Sequence, residues 1–271
     1  MTDRDYELIG PEPAVAMMQR GLAMRRILRN DPRFSSYGRI VYLIDPEDDA
    51  EEVMMALAGV QGAGNSHFFP KSRVDAAYAR FEAAGFVTDR HEHFIGYVKD
   101  SAPAARAILS AHAMPSDLEV VRIGPDTPHA LLVETADLMQ SCGVMPVPGR
   151  AMRGALVPGI VLVAMDKAGA VVATAASFLP NHPKSARPAH AFWGMLATRP
   201  DRRGQKIALI LGAQAMLHMA ETHGALSFST GVRADNGSSQ ALCHKLAVRD
   251  SDWVFGQCLN PALVGGGRLT K

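Results

Sequence analysis

The stretch "TRPDRRGQKIALIL", residues 198–211, decides how this chain is read. A turn of Pro200, Asp201, two arginines and Gly204 runs into a series of good helix formers. The N–H groups of a helix's first turn have no carbonyl of their own helix to bond, and the helix dipole adds partial positive charge there. A helix start is therefore a natural anion site. Gly204 permits close approach of a ligand to the backbone, and Arg199, Arg202, Arg203 and Lys206 add positive charge. The helix is apolar nearly all round, so it has to be buried against a sheet. Two readings fit: a rigidly held site for a polyphosphate, or a strand–turn–helix unit whose basic turn is simply solvated.

Composition narrows the classes. With 271 residues, 48% of them hydrophobic and 20% charged, the chain is long enough for one large domain or two smaller ones around packed cores. A net charge of +1 gives no electrostatic case for nucleic acid or an anionic membrane as partner. Cys142, Cys243 and Cys258 are far apart and odd in number, which argues against a disulfide framework or a zinc site and for a reducing cytoplasm. The opening "MTDRDYELIGPEP" is too acidic and polar for a secretory signal. The longest apolar runs, "ALVPGIVLVAM" and "AGAVVATAASFL", are too short to span a bilayer and read as buried strands.

Helical and strand patterns alternate along the chain, which predicts an α/β (α+β) protein with a sheet core. Helices are expected over 13–30, 49–60 and 72–85, and strands over 39–45 and 93–99. "QGAGNS" (61–66) reads as a loop that lacks the dinucleotide-binding fingerprint. "RHEHF" places His91 and His93 on one side of a strand. Two histidines without a third ligand make a poor metal site, so an exposed strand face is expected and no metal. A change of character over 99–117, with a short helix, places a domain boundary near Pro115, giving units 1–115 and 116–271. In the second unit "IVLVAMDKAGAVVATAASFL" is the clearest hairpin. Strand "AFWGMLAT", the basic turn, helix 205–224, strand "LSFSTGV", helix "NGSSQALCHKLA" and strand "DWVFGQCL" follow, and the closing "VGGGRLTK" reads as a frayed tail. No internal repeat is visible.

Two segments together resemble the GCN5-related N-acetyltransferase (GNAT) superfamily. Its glycine-rich motif, Q/R-x-x-G-x-G/A, is matched by Arg203-Gly204-Gln205-Lys206-Ile207-Ala208, approached by Leu196, Thr198 and Pro200. Its second motif, N-x-x-A-x-x-L-Y-x-K-x-G-F, is matched at Asn236, Ser239, Leu242, Cys243, Lys245, Ala247 and Val248. The order of elements from 118 to 259 also fits. The resemblance implies a mixed, mostly antiparallel sheet flanked by helices, with the N-terminal α/β region added to it. It implies acetyl-CoA as co-substrate, its pyrophosphate on the amides of 203–208 and its thioester beside Leu196, Ala197 and Thr198. Asn236 and Ser239 would flank the pantetheine arm. Lys206 departs from the pattern, because a glycine normally sits there.

The catalytic groups are less clear. The family's usual tyrosine proton donor is replaced by Cys243, either a donor itself or a buried helix cysteine. "HAFWGMLAT" has no carboxylate to act as base, and His190 is its one titratable group. By strand alternation His190 shares a face with Phe192, Gly194, Leu196 and Thr198. The expected activity is acetyl transfer to the amine of a small molecule or peptide. The alternative is a sensor or interaction protein that binds acyl-CoA without turnover. The loops "SCGVMPVPGRAMRG" and "FLPNHPKSARPAH" are expected to shape the acceptor pocket, with Arg150, Arg153 and Arg187 favouring an anionic group. The N-terminal region has three roles open to it: covering the acceptor site, forming a homodimer, or being a degenerate second copy of the fold.

Overall fold

The computed structural model describes residues 6–264; the outermost residues of both termini, including most of the tail read as frayed, lie outside the described residues. The first half of the chain runs α1 (Glu12–Leu28), β1 (Phe34–Ser35), β2 (Tyr42–Leu43), α2 (Ala50–Gln61), β3 (Ala63–Pro70), α3 (Lys71–Ala83), β4 (Val87–Tyr97) and α4 (Val98–Ala111). The second half runs β5 (Leu118–Arg122), α5 (His129–Ser141), α6 (Gly149–Met152), β6 (Gly159–Asp166), β7 (Val171–Phe178) and β8 (His190–Thr198). A single 3-10 turn, Pro200–Arg202, then leads to α7 (Ile207–His223), β9 (Ser227–Val232), α8 (Gly237–Lys245), β10 (Arg249–Leu259) and α9 (Pro261–Val264).

All ten strands join one sheet in the order β1-β2-β3-β10-β4-β9-β8-β7-β6-β5. Among the described residues only β2/β3 and β8/β9 pair in parallel. The mixed, mostly antiparallel sheet is therefore as expected. Pro115 falls in the connection between α4 and β5, and the sheet itself continues from strands of the first half into strands of the second.

That order contains a symmetry. The runs β2-α2-β3-α3-β4 and β8-α7-β9-α8-β10 have the same sequence of elements. Each pairs its first two strands in parallel, and each gives its third strand to the other run: β10 lies against β3, and β4 against β9. The two donated strands pair with each other at the centre. The sequence hides this repeat because the equivalent turns have opposite charge, "DPEDDAEE" (45–52) before α2 and "RPDRRGQK" (199–206) before α7.

Helices cover the sheet unevenly. Helix α7 buries Ile207, Leu209, Ile210, Leu211, Ala213, Ala215, Met216 and Met219, which is why its sequence has no polar stripe. It packs on α4 and on Trp193, whose indole N–H donates to the Gly212 carbonyl (2.9 Å). A second core, on Leu132, Met139, Met152, Phe178 and Phe192, lies under α5 and α6, and a third joins α2 and α3 to Phe69, Val254 and Cys258.

Two expectations are corrected. "QGAGNS" is not a loop: Ala63 to Ser66 begin β3. Gly64 allows this, because a Cβ on it would sit 1.9 Å from the Met54 carbonyl oxygen of α2. His91 and His93 are not on an exposed face: β4 is central, and both are buried. Gly64→Ala is expected to cost about 1–3 kcal/mol by overpacking the α2–β3 contact, read as a lower urea midpoint with an unchanged slope.

Candidate active site

Strands β8 and β9 pair only from His190–Ser227 to Phe192–Ser229 and then part. The register of β8 on β7 slips between Gly194 and Ala197, with Met195 at φ +53°. This bulge inserts one residue and reverses the strand's alternation. Phe192 belongs to the core under α5, but Leu196 packs with Ala191 and Trp193 in the core under α7. Simple alternation had put Phe192 and Leu196 on one face, so the bulge is what the sequence reading missed.

A cavity of about 260 Å³ opens in the wedge between the parting strands. Its walls include Trp193 to Leu196 of β8 and Thr230 to Val232 of β9, continuing to Arg233, with Asn236, Ser239 and Cys243 at the start of α8 and within it. Four residues assigned from sequence thus meet: Leu196, Asn236, Ser239 and Cys243. Cys142 to Met145, in the first loop expected to shape the pocket, also line it. The second loop does not: Pro180 and His182 border a smaller hollow beside α1.

The far wall comes from residues the sequence reading did not single out as a site. Tyr37, Arg39 and Tyr42 reach in from the β1–β2 region, Asn65 and His67 from β3, His91 from β4, and Phe255 and Gln257 from β10. No short motif marks them. They converge because the exchange of β4 and β10 brings these strands beside the wedge.

The remaining assigned residues do not line the cavity. Ala197 is packed in the core, and the Thr198 carbonyl accepts from Cys142 Sγ (3.5 Å) and Arg203 Nε (3.3 Å). Arg203, Gly204, Gln205 and Lys206 are exposed. Gly204 has φ +80° and nothing within 4 Å of where a Cβ would stand. Lys206 has φ +63° and precedes Ile207 as the helix cap, so it keeps a left-handed backbone suited to glycine at a cost of about 1–2 kcal/mol. Its side chain turns away, with Nζ 3.4 Å from a ring nitrogen of His112. The first helical bond is Ile210 N–H to the Lys206 carbonyl, so the amides just before it have no partner in their own helix. Arg199 pairs with Asp201 and Asp166, and Arg202 pairs with Asp117. Arg203 and Lys206 carry no ion pair among the described residues. These residues fit a pyrophosphate: an open turn, free amides and two uncommitted cations.

His190 is placed away from the cavity. It is buried, its Nδ1 lies 2.8 Å from Ser227 Oγ, and its Nε2 lies 2.7 Å from Ser229 Oγ. Burial, with Arg187 nearby, pushes its pKa down to about 3. The ring fastens β8 to β9 and does not face an acceptor. Cys243 is buried too, and burial pushes its thiol up to about 12. Delivering its proton to a thiolate of ordinary pKa, about 8.5, would be uphill by about 5 kcal/mol. As a proton donor it is poor, and as a buried cysteine it is ordinary. Asn236 accepts from the Ser239 amide (3.1 Å) and caps α8 as it lines the cavity.

The arginines expected to select an anion are held elsewhere. Arg153 pairs with Glu7 (2.6 Å) and donates to the carbonyls of Gly124, Pro125 and Thr127. Arg187 pairs with Asp45 and lies 3.8 Å over the Phe68 ring, and Arg150 stacks on Tyr6. Among the described residues no group of three or more His, Cys, Asp or Glu is placed to hold a metal ion, and no helix is long and apolar enough to cross a membrane.

Two outcomes follow. His67, His93 and His190 are all buried with pKa values held below the usual histidine range, chiefly by burial. Below pH about 6.5 the unfolded chain takes up protons that the folded chain refuses. Stability therefore falls with acidification, for His190 through the window from about 6.5 to about 3, and His190→Gln should flatten the slope by up to one proton. At pH 8 a thiol reagent should modify the partly exposed Cys142 quickly and the buried Cys243 and Cys258 slowly; Cys142→Ser should remove the fast phase.

Residues 148–247 match the acetyltransferase (GNAT) family. No curated protein matches the sequence. Among solved structures, a tandem GNAT protein from the clavulanic acid biosynthesis pathway shares 16% identity at a TM-score of 0.51, over 80% of this chain and 74% of its own. A Drosophila protein shares 14% at 0.56, over 92% and 89%. A GCN5-related N-acetyltransferase from Kribbella flavida shares 12% at 0.55, over 90% and 95%. At these identities the likeness is one of fold. Together with the family match at residues 148–247, it supports a GNAT-type C-terminal region and, in general terms, an acetyltransferase activity.

Proposed function

We propose that the protein is an acetyl-CoA-dependent N-acetyltransferase that moves an acetyl group to the amine of a small molecule or peptide by direct attack. The observation that carries this is the parting of β8 from β9 after Phe192, with the open basic turn following at the end of β8. The turn at Gly204 and the start of α7 would hold the pyrophosphate. The β8 backbone beyond Phe192, which β9 no longer bonds, would receive the thioester end. Acetyl-CoA supplies the activated acetyl group. The amine nitrogen bonds to the acetyl carbon, the carbon–sulfur bond breaks, and the proton lost by nitrogen ends on the departing sulfur. Backbone N–H groups beside the bulge would stabilise charge on the carbonyl oxygen.

His91 takes over the role first given to His190. It lines the cavity, and burial holds its pKa below the usual range, so the ring is neutral near pH 7; its Nδ1 lies 2.9 Å from the Gln257 amide nitrogen and would take the proton as that contact gives way to the amine. The N-terminal run is read as a degenerate copy of the fold that completes the acceptor site. Its acidic turn, Asp45 to Glu52, would repel a pyrophosphate, which leaves one co-substrate site per chain. The composition supports a cytoplasmic setting without nucleic acid or membrane partners.

A second reading, acyl-CoA binding without turnover, is favoured by one observation: the Cys243 thiol is too weak an acid to replace the family's tyrosine. Calorimetric titration with acetyl-CoA and CoA release on an amine panel separate the two. Transferase activity predicts saturable binding, abolished by Gly204→Trp and kept within a few-fold by Lys206→Gly, together with amine-dependent CoA release. His91→Gln should then lower kcat at least tenfold with little change in KM for acetyl-CoA. Binding without release on any amine would favour the sensor, and absence of binding would remove both.

A further inference from the structure

The geometry points to an acceptor that carries a carboxylate beside its amine, of the amino-acid class, with Arg39 holding the carboxylate. This inference rests on the reading of the cavity as the acceptor end of a transferase.

The cavity wall holds unsatisfied groups of both kinds. The buried polar atoms that find no hydrogen-bond partner include Arg39 Nη2, Asn65 Oδ1 and Gln257 Oε1, and all three residues line the cavity. An unpaired buried donor or acceptor costs about 1–3 kcal/mol, more when it is charged. The three atoms lie just beneath the cavity surface, where a small side-chain rotation would bring them to a ligand that satisfies them.

Arg39 is the charged member. Its Nε donates to the Pro146 carbonyl (3.2 Å), and its guanidinium lies 5.7 Å from the Tyr37 ring centroid and hydrogen-bonds the neutral Tyr37 side chain, which leaves Nη2 without a partner. No carboxylate pairs with it among the described residues. The other formal charges at the cavity cancel: Arg233 is bound by both oxygens of the buried Asp89 (3.1 and 2.9 Å). The histidines on the wall, His67 and His91, are held neutral by burial. The cavity therefore presents one unmatched positive charge in a setting of low polarity, where a guanidinium favours a planar two-oxygen anion.

Asn65 and Gln257 supply the complementary half. They are opposite each other in the β3–β10 register, so they share a face of the sheet. The Gln257 amide nitrogen is 2.9 Å from His91 Nδ1, which ties this pair to the proposed base. Two amide oxygens accept from the N–H groups of an acceptor whose carboxylate lies on Arg39. A small cavity that also accommodates the acetyl end leaves room for a compact molecule. Tyr37, Tyr42, Phe192 and Phe255 offer apolar surface to the rest of it.

The test uses the full chain and matched trios in which a carboxylate is kept, amidated or removed: L-leucine, L-leucinamide and isopentylamine, and L-phenylalanine, L-phenylalaninamide and phenethylamine. Binding is read by calorimetry with saturating CoA, and turnover by CoA release from acetyl-CoA. The acids are expected to bind, and to be acetylated with kcat/KM at least tenfold above their amides and amines. Arg39→Gln should erase that preference by lowering the acids alone, and Arg39→Lys should restore part of it. Asn65→Asp, which adds a negative charge to the same wall, should penalise the acids without penalising the amines. Thermal melts confirm that each variant is folded.

Equal use of acids, amides and amines, or an equal loss for all three in Arg39→Gln, overturns the inference and leaves the transferase reading standing. Arg39-dependent binding of the acids without CoA release removes the transferase reading and leaves the anion site. No Arg39-dependent binding of any carboxylate in the panel overturns the inference outright.

Discussion

The exchange of central strands holds the rest of the structure in place. β10 lies between β3 and β4, and β4 lies between β10 and β9, so neither half of the chain completes its own sheet. Each donated strand bonds to two neighbours, and the backbone groups on both of its edges find partners only when both halves are present. The same exchange sets His91 and Gln257 beside the wedge between β8 and β9. Packing and site formation are thus one constraint.

Within that frame, local devices divide the work. The bulge at Met195 turns β8 so that Leu196 joins the core under α7 while the strand edge is left facing the wedge. His190 fastens β8 to β9 just before they part, through two serine hydroxyls. The left-handed backbone at Lys206 keeps the helix start in the form a glycine would give it, and the lysine side chain is directed to solvent and His112. The departure from the family pattern at this position is chemical, and the backbone geometry is retained.

The electrostatics follow the same economy. Most arginines near the site are committed to scaffold contacts: Arg153 to Glu7, Arg187 to Asp45, Arg202 to Asp117 and Arg233 to Asp89. Among the described residues, Arg203 and Lys206 at the turn carry no ion pair, and Arg39 in the cavity has no carboxylate partner. A half-buried charge without a counter-ion is expensive, so the position of Arg39 is more informative than a count of basic residues.

The sequence by itself determined the C-terminal fold and the strand–turn–helix geometry with its open basic turn. These depend on short-range facts: hydrophobic periodicity, a glycine after two arginines, an asparagine three residues before a serine at a helix start. It also marked the loop at Cys142. It did not show the far wall of the cavity, because Arg39, Asn65, His91 and Gln257 are separated by up to about two hundred residues and meet only through the crossed strands. Nor did it show that His190 is tied down, because Ser227 and Ser229 come beside it only through the β8–β9 register. Contacts within an element can be read from spacing. Contacts between elements had to wait for the tertiary structure, because register, strand exchange and charge pairing are decided only when the whole sheet closes around them.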